Sequence, residues 1–217
     1  MAWRFNENVR IPMGPVTLEG SLTLPRDTRE IVVFSHGSGS SRFSPRNTMV
    51  ASHLHQRGFG TLLFDLLTAV EDRDHEKRFD IHLLTDRLVG VTEWLKRQDT
   101  AQDCSIGYFG ASTGAASALQ AAATLPEVAT VVCRGGRPDL AAEALPMVPC
   151  PVLLIVGSHD HEVIEYNLEA LRLIKSPKRL SLVPGATHLF EEPGCMEQVC
   201  RLSADWFETH MLPVKAY

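Results

Sequence analysis

Three rhythms of apolar and polar positions run along this chain. The first is alternation. "VRIPM" (9–13) and "VTLEGSLTLP" (16–25) set apolar and β-branched residues against polar ones, with Gly14-Pro15 between them. That pattern predicts an antiparallel hairpin at the edge of a sheet. The second rhythm is the short, nearly unbroken apolar run, which a strand buried on both faces requires. It recurs as "EIVVFSHG" (30–37), "GTLLFDL" (60–66), "CSIGYFG" (104–110), "VATVVCRGG" (128–136), "CPVLLIVGSHD" (150–160) and "KRLSLVPG" (178–185). The third is helical spacing between these runs. It predicts helices over about 46–57, with Ser44 or Pro45 near the start, and over 82–98, where Leu83, Leu84, Leu88, Val91 and Leu95 share a face. Further helices are expected over the alanine-rich 117–125, over 167–175 and over 195–210.

Strands alternating with helices imply a mostly parallel sheet covered on both sides. In such a doubly wound sheet, ligands bind beyond the carboxyl ends of the strands. The residues just past the buried runs are therefore the ones to inspect: His36-Gly37-Ser38, Asp65, Ser112, Arg134-Gly135, Asp160 and His188. A serine, an acid and a histidine are among them.

Composition narrows the class. The chain has 217 residues, enough for one well-buried domain and short for two, so residues 1–217 are expected to form one unit. Hydrophobic content of 44% and charged content of 22% suit a water-soluble globular protein. A net charge of -5 offers no basic face for nucleic acid. No stretch is apolar for long enough to span a bilayer, and "MAWRFNENVR" lacks the apolar region of a secretory signal. Five cysteines, an odd number at spacings that match no disulfide framework or zinc pattern, fit a reducing compartment, so a cytoplasmic location is expected. Neither a metal nor a cofactor is expected. "His159-Asp160-His161-Glu162" is a turn whose side chains diverge, and no distant ligand pair accompanies it.

"Gly110-Ala111-Ser112-Thr113-Gly114" follows a predicted strand and opens a predicted helix. This is the Gly-x-Ser-x-Gly nucleophile elbow, in which the sharp turn lifts the serine hydroxyl into the open. Its position at a helix amino end places free N–H groups nearby for an oxyanion. Serine needs a base, and the base needs an orienting group. In the elbow's usual chain order an acid and then a histidine follow. Asp160 and His188 meet that order and sit past successive strands. Ser112 is read as nucleophile, His188 as general base and acid, and Asp160 as the group that fixes the imidazole. Glu162 and Asp139 are the substitute acids; Asp160 could instead cap the helix that follows it.

Two backbone donors are needed for the oxyanion. One is expected from Thr113, the residue after the nucleophile. The other is expected from the "HGSGSS" loop, through Ser38 or alternatively Gly37. His36 and the arginines Arg42, Arg134 and Arg137, with Arg46 close by, are candidates for contact with an anionic substrate group, although pairing with Asp65, Asp139 or the acids of "FEEP" would explain them equally well. "TAVEDRDHEKRFD" (68–80) reads as a solvated loop, with a flap over the site as the alternative.

"VFSHGSGSSRFSPRN", "GYFGASTGAA", "CRGGRPDLA" and "VPGATHLFEEPG" together resemble the small α/β-hydrolases related to dienelactone hydrolase, including members fused to phosphoribosyltransferase-type domains. The resemblance implies an α/β-hydrolase fold with no separate cap domain, and it carries the triad onto Ser112, Asp160 and His188. It also contains a departure: dienelactone hydrolases proper have a cysteine at the elbow, and this chain has Ser112. The expected activity is therefore hydrolysis of a small carboxylic ester, thioester or lactone through an acyl-enzyme. Acyl transfer and a non-catalytic binding role on the same scaffold are the rivals. The expected partner is a small-molecule ester, with no nucleic acid and no membrane. No interface signature fixes an oligomeric state.

Overall fold

The alternation expected of the first strands is realised as a long two-stranded ribbon. In the computed structural model, which describes residues 2–211, β1 (Trp3–Met13) and β2 (Val16–Pro25) pair antiparallel through a tight turn at Gly14, where φ is +64°. β1 begins six residues before the predicted "VRIPM" run. Its first half is mostly exposed, with Trp3 and Phe5 its only apolar residues, so no buried apolar face marks it; cross-strand contacts such as Ser21 to Asn8 and Thr23 to Asn6 do.

The remaining strands are β3 (Glu30–Ser35), β4 (Gly60–Phe64), β5 (Ser105–Ala111), β6 (Val128–Arg134), β7 (Val152–Gly157) and β8 (Lys178–Val183). They form one eight-stranded sheet in the order β1-β2-β4-β3-β5-β6-β7-β8. β2 meets β4 antiparallel, and every pairing from β4 to β8 is parallel. This is the mostly parallel, doubly wound sheet with an edge hairpin that the pattern predicts.

The helices are α1 (Pro45–Gln56), α2 (Ile81–Lys96), α3 (Thr113–Thr124), α4 (His161–Leu173) and α5 (Cys195–Met211). Strand residues of alternating parity feed two cores, as a sheet buried on both faces must. Ile31, Val33, Val131, Cys133, Val152 and Leu154 pack with α2, α3 and α4. Val32, Phe34, Phe109, Val132, Leu153 and Ile155 pack with α1 and α5. Local chemistry fixes the ends. Ser44 caps α1, its side chain accepting from the Asn47 N–H, and Pro45 opens the helix. The Asp80 carboxylate likewise accepts from the Leu83 N–H at the start of α2.

Only short 3₁₀ turns (Pro138–Ala141 and Leu145–Met147) lie between β6 and β7, so no inserted helical layer covers the carboxyl edge there. The charged 68–80 segment is not loose. Two 3₁₀ turns (Glu71–Arg73 and Lys77–Phe79) are pinned by a largely buried Glu71–Arg87 ion pair at 2.9 Å and by Arg78 on Asp72 at 3.1 Å.

Candidate active site

Ser112 sits between β5 and α3 in a conformation that L-residues avoid, with φ 51° and ψ −121°. Three backbone hydrogen bonds hold it there. The Ser112 N–H donates to the Arg134 carbonyl at 3.1 Å, and the Ser112 carbonyl accepts from Ala115 at 3.0 Å and Arg137 at 3.1 Å. The flanking glycines allow the close packing. A Cβ on Gly110 would come within 2.5 Å of Ala115 Cα, and one on Gly114 would overlap the carbonyl oxygens of Ser35 and His36. The two glycines therefore let β5 and α3 press against the end of β3, and the serine is left at the tip.

Asp160 and His188 arrive from the ends of β7 and β8. Asp160 occupies the cap position of α4 but makes no side-chain cap bond. Its Oδ2 instead accepts from Nδ1 of His188 at 2.7 Å, with the carboxylate side chain 13% exposed. On the other side of the ring, Nε2 of His188 faces Ser112 Oγ at 3.4 Å. That spacing is long for a hydrogen bond and ordinary for a nucleophile–base pair without substrate. Gly135, with φ +53°, lies directly behind the imidazole; a Cβ there would stand 3.5 Å from Nδ1 and from Cε1. The substitute acids are engaged elsewhere. Glu162 accepts from the Tyr166 hydroxyl, and Asp139 holds Arg137 in a two-point contact at 2.9 and 2.7 Å.

The loop after β3 closes over the elbow, its Gly37 so near that a Cβ would sit 3.1 Å from Ser112 Cβ. Among the described residues the Thr113 N–H has no hydrogen-bond acceptor. The Ser38 N–H is occupied: it donates to Thr113 Oγ1 at 2.8 Å. That side-chain role of Thr113 was not visible in the sequence, because the motif assigns only its backbone.

His36 is not a surface ligand. It is buried, donates from Nδ1 to the Gly37 carbonyl at 2.9 Å and accepts at Nε2 from the Leu66 N–H at 3.0 Å. Both ring nitrogens are thus spent on joining the β3 and β4 loops, which corrects the reading of His36 as a substrate contact. Burial lowers its pKa below the ordinary histidine value, in keeping with the neutral form this geometry needs. Arg42 and Arg137 follow the bland alternative. Arg42 pairs with Asp65 through both its backbone N–H and its guanidinium, and Arg137 pairs with Asp139. Arg134 differs from both: it is 5% exposed and has no ion-pair or hydrogen-bond partner for its side chain among the described residues. A second residue missed in the sequence, the buried Asn167 of α4, donates to the Gly136 carbonyl at 2.9 Å and steadies the Gly135-Gly136 turn. The glycine pair was the available signal for that turn.

A serine hydroxyl, an imidazole and a carboxylate in line, beside free helix-end amides, can perform nucleophilic acyl chemistry. Comparison with known proteins fits this geometry. Two Mycobacterium tuberculosis proteins, from strains CDC 1551 and H37Rv and provisionally named phosphoribosyl transferases, are 54% identical over 207 residues, which is 95% of this chain. The chain spans about half (47%) of the length of these curated relatives. A crystal structure of dienelactone hydrolase from Anabaena variabilis superposes with a TM-score of 0.93 at 49% identity, covering 96% of this chain and 99% of that one. An esterase from Pyrococcus furiosus shares the fold, with a TM-score of 0.76 at 17% identity over 96% of this chain and 92% of that one. Residues 18–205 match the dienelactone hydrolase family, and the chain belongs to that family.

Proposed function

We propose that this chain is a serine hydrolase that cleaves small carboxylic esters, thioesters or lactones through an acyl-enzyme on Ser112. The observation that carries the reading is the hydrogen-bonded line from Asp160 through His188 to Ser112, at the carboxyl edge of the sheet. Ser112 Oγ attacks the acyl carbon while His188 Nε2 takes its proton. The N–H groups of Thr113 and of Ser38 or Gly37 receive the oxyanion. His188 then hands the proton to the departing oxygen or sulfur, and water repeats the sequence to release the acid. Asp160 holds the Nδ1–H tautomer throughout and stabilises the imidazolium.

Membership of a hydrolase family supports this reading, and the connection from β6 to β7, which has only short 3₁₀ turns and no inserted helical layer, suits small acyl groups. The phosphoribosyl transferase name belongs to relatives about twice as long, so phosphoribosyl transfer is a statement about those whole proteins. All five cysteines are free and buried, which fits a cytoplasmic setting. No helix among the described residues is long and apolar enough to cross a membrane.

The test is labelling with a fluorophosphonate probe followed by peptide mass spectrometry, on native and denatured protein. Labelling of Ser112 in the folded protein alone is expected, with Ser112→Ala losing both label and ester turnover by roughly 10⁴-fold or more. Absence of label from a pocket the probe can enter would overturn the reading.

A further inference from the structure

The charged 68–80 segment borders the site, yet the proposed chemistry gives it no role. It is a strap, fixed at its start by Glu71, whose carboxylate accepts from the Thr68 N–H and from Arg87, both at 2.9 Å. Further on, Arg78 folds back onto Asp72. Its Nε donates to the Asp72 carbonyl at 2.6 Å and to Oδ1 at 3.1 Å, and its Nη2 donates to Oδ2 at 3.2 Å. These bonds to one residue hold the guanidinium plane in place and leave Nη1 as its outer edge. That edge stands against Gly39, where an added Cβ would lie 3.7 Å from Nη1. Arg78 and Asp72 also share a small cavity with His36, Ser38 and Gly39.

On the opposite side, Gly37 packs on the nucleophile, with an added Cβ only 3.1 Å from Ser112 Cβ. Residues 37–39 are therefore held between Ser112 and Arg78. They belong to a tight turn: the Ser40 N–H donates to the Gly37 carbonyl at 3.1 Å, and Gly39 takes φ +68° as the third residue. A turn with two glycines is intrinsically loose. The Ser38 N–H ties it to the elbow through Thr113 Oγ1 at 2.8 Å, and that N–H is also a candidate donor to the oxyanion. Once shared with the oxyanion, this inner tie weakens, and the turn depends on what backs it from outside. The strap supplies that backing. An ion pair with side chains 31% and 36% exposed, as in Arg78–Asp72, adds little to the stability of the fold. What it fixes is local: one guanidinium behind the turn.

We infer that Arg78 is a positioning residue. Held by Asp72, it buttresses the Gly37–Ser40 turn and keeps the N–H groups of Gly37 and Ser38 aimed at the space over Ser112. The consequence for catalysis rests on the hydrolase reading; the buttress itself does not. Donors to an oxyanion act only as that charge develops, so a slack turn lowers kcat and leaves KM.

The experiment compares Arg78→Ala, Asp72→Asn and the double variant with the parent. Arg73→Ala, which removes an exposed charge from the same strap, is the control, and thermal melts check that each variant folds. Amide hydrogen exchange of the peptide 36–44, read by mass spectrometry, should speed up about tenfold in Arg78→Ala and stay at the parent rate in Arg73→Ala. On one activated ester, Arg78→Ala should lower kcat roughly tenfold with KM within about twofold, a fraction of the loss when a whole oxyanion donor is removed. The double variant should be no slower than Arg78→Ala, because Asp72 acts through Arg78. Adding Thr113→Val to Arg78→Ala should cost more than the product of the two single losses, since both supports of the turn are then gone. Exchange in 36–44 that ignores Arg78→Ala would overturn the buttress, whether or not any ester is cleaved. Faster exchange with an unchanged kcat, or an equal fall in kcat for Arg73→Ala, would overturn the positioning role. Faster exchange in a protein that cleaves no ester and takes no fluorophosphonate label would keep the buttress and count against the hydrolase reading instead.

Discussion

Asp160 Oδ2 accepts the Nδ1–H of His188 at 2.7 Å although it stands where a helix-capping side chain would be, at the start of α4. Forgoing the cap relinquishes about 1 kcal/mol of helix stability. The contact it makes instead fixes which imidazole nitrogen faces Ser112. Asp160→Asn should therefore lower kcat about 10⁴-fold with little change in fold, because an amide can favour the wrong tautomer. Glu162→Gln and Asp139→Asn, whose carboxylates are used by Tyr166 and Arg137, should stay within a few-fold of the parent. Steady-state rates on one activated ester decide it: a near-normal rate for Asp160→Asn would move the acid elsewhere.

The hydroxyl of Thr113 raises a different question, because the Ser38 N–H it accepts is also a candidate donor to the oxyanion. An N–H already aimed at the elbow can be shared when the oxyanion forms, and the anchor keeps the loop from drifting. On this argument Thr113→Val should lower kcat roughly tenfold, a fraction of the 10²–10³ lost when a whole donor is removed. Thr113→Ser, which retains the acceptor, should approach the parent rate. The rate of fluorophosphonate labelling gives the same comparison without an ester. A Thr113→Val enzyme faster than its parent would mean the hydroxyl competes with the oxyanion.

The difference between Thr113 and Ser112 shows what the sequence can carry. The elbow, the order serine–acid–histidine and the parallel sheet were readable because each is enforced by short-range chemistry or by burial on both faces. Where polar residues set the boundary, periodicity was silent. α3 starts at Thr113 and α4 at His161, whereas apolar spacing marks helix only over 117–125 and 167–175; the earlier starts are signalled by the elbow and by Asp160 instead. Arginine roles were unreadable for another reason: whether Arg42, Arg134 or Arg137 meets a carboxylate depends on side chains brought in by other loops. Asp65, 23 residues away, decides the role of Arg42, and among the described residues no such partner reaches Arg134.

Gly114 gives a stability prediction that separates packing from conformation. A methyl there overlaps the Ser35 carbonyl oxygen and comes within 2.5 Å of the His36 carbonyl oxygen, both rigid backbone. Gly114→Ala should destabilise by about 3 kcal/mol or more, in the range of severe overpacking, or prevent folding. Gly194, with φ +81° and nothing within 4 Å of an added Cβ, is the control for backbone strain alone. Gly194→Ala should cost about 1 kcal/mol. Urea midpoints of the two variants measure the contrast, and similar losses would mean the elbow can relax around the methyl.

His36 ties stability to pH. It is 7% exposed, its Nε2 must stay unprotonated to accept from Leu66, and burial lowers its pKa below the ordinary 6.5. The unfolded chain takes up a proton near 6.5 while the folded chain does so only at lower pH. Between those points the unfolded state binds more protons, so stability rises with pH across the window. It is fully present above 6.5 and drains away as pH falls towards the folded value, by about 1.4 kcal/mol for each unit of depression. His55 and His210, also lowered by burial, add slopes of the same sign. Urea unfolding at about pH 7.5 and about pH 5.5 should therefore show a clear loss at the lower pH. His36→Gln should be less stable at the higher pH, having lost its fit between Gly37 and Leu66, yet should show a smaller loss between the two. An equal loss in parent and variant would mean that the β3 and β4 loops let His36 become protonated in the folded protein.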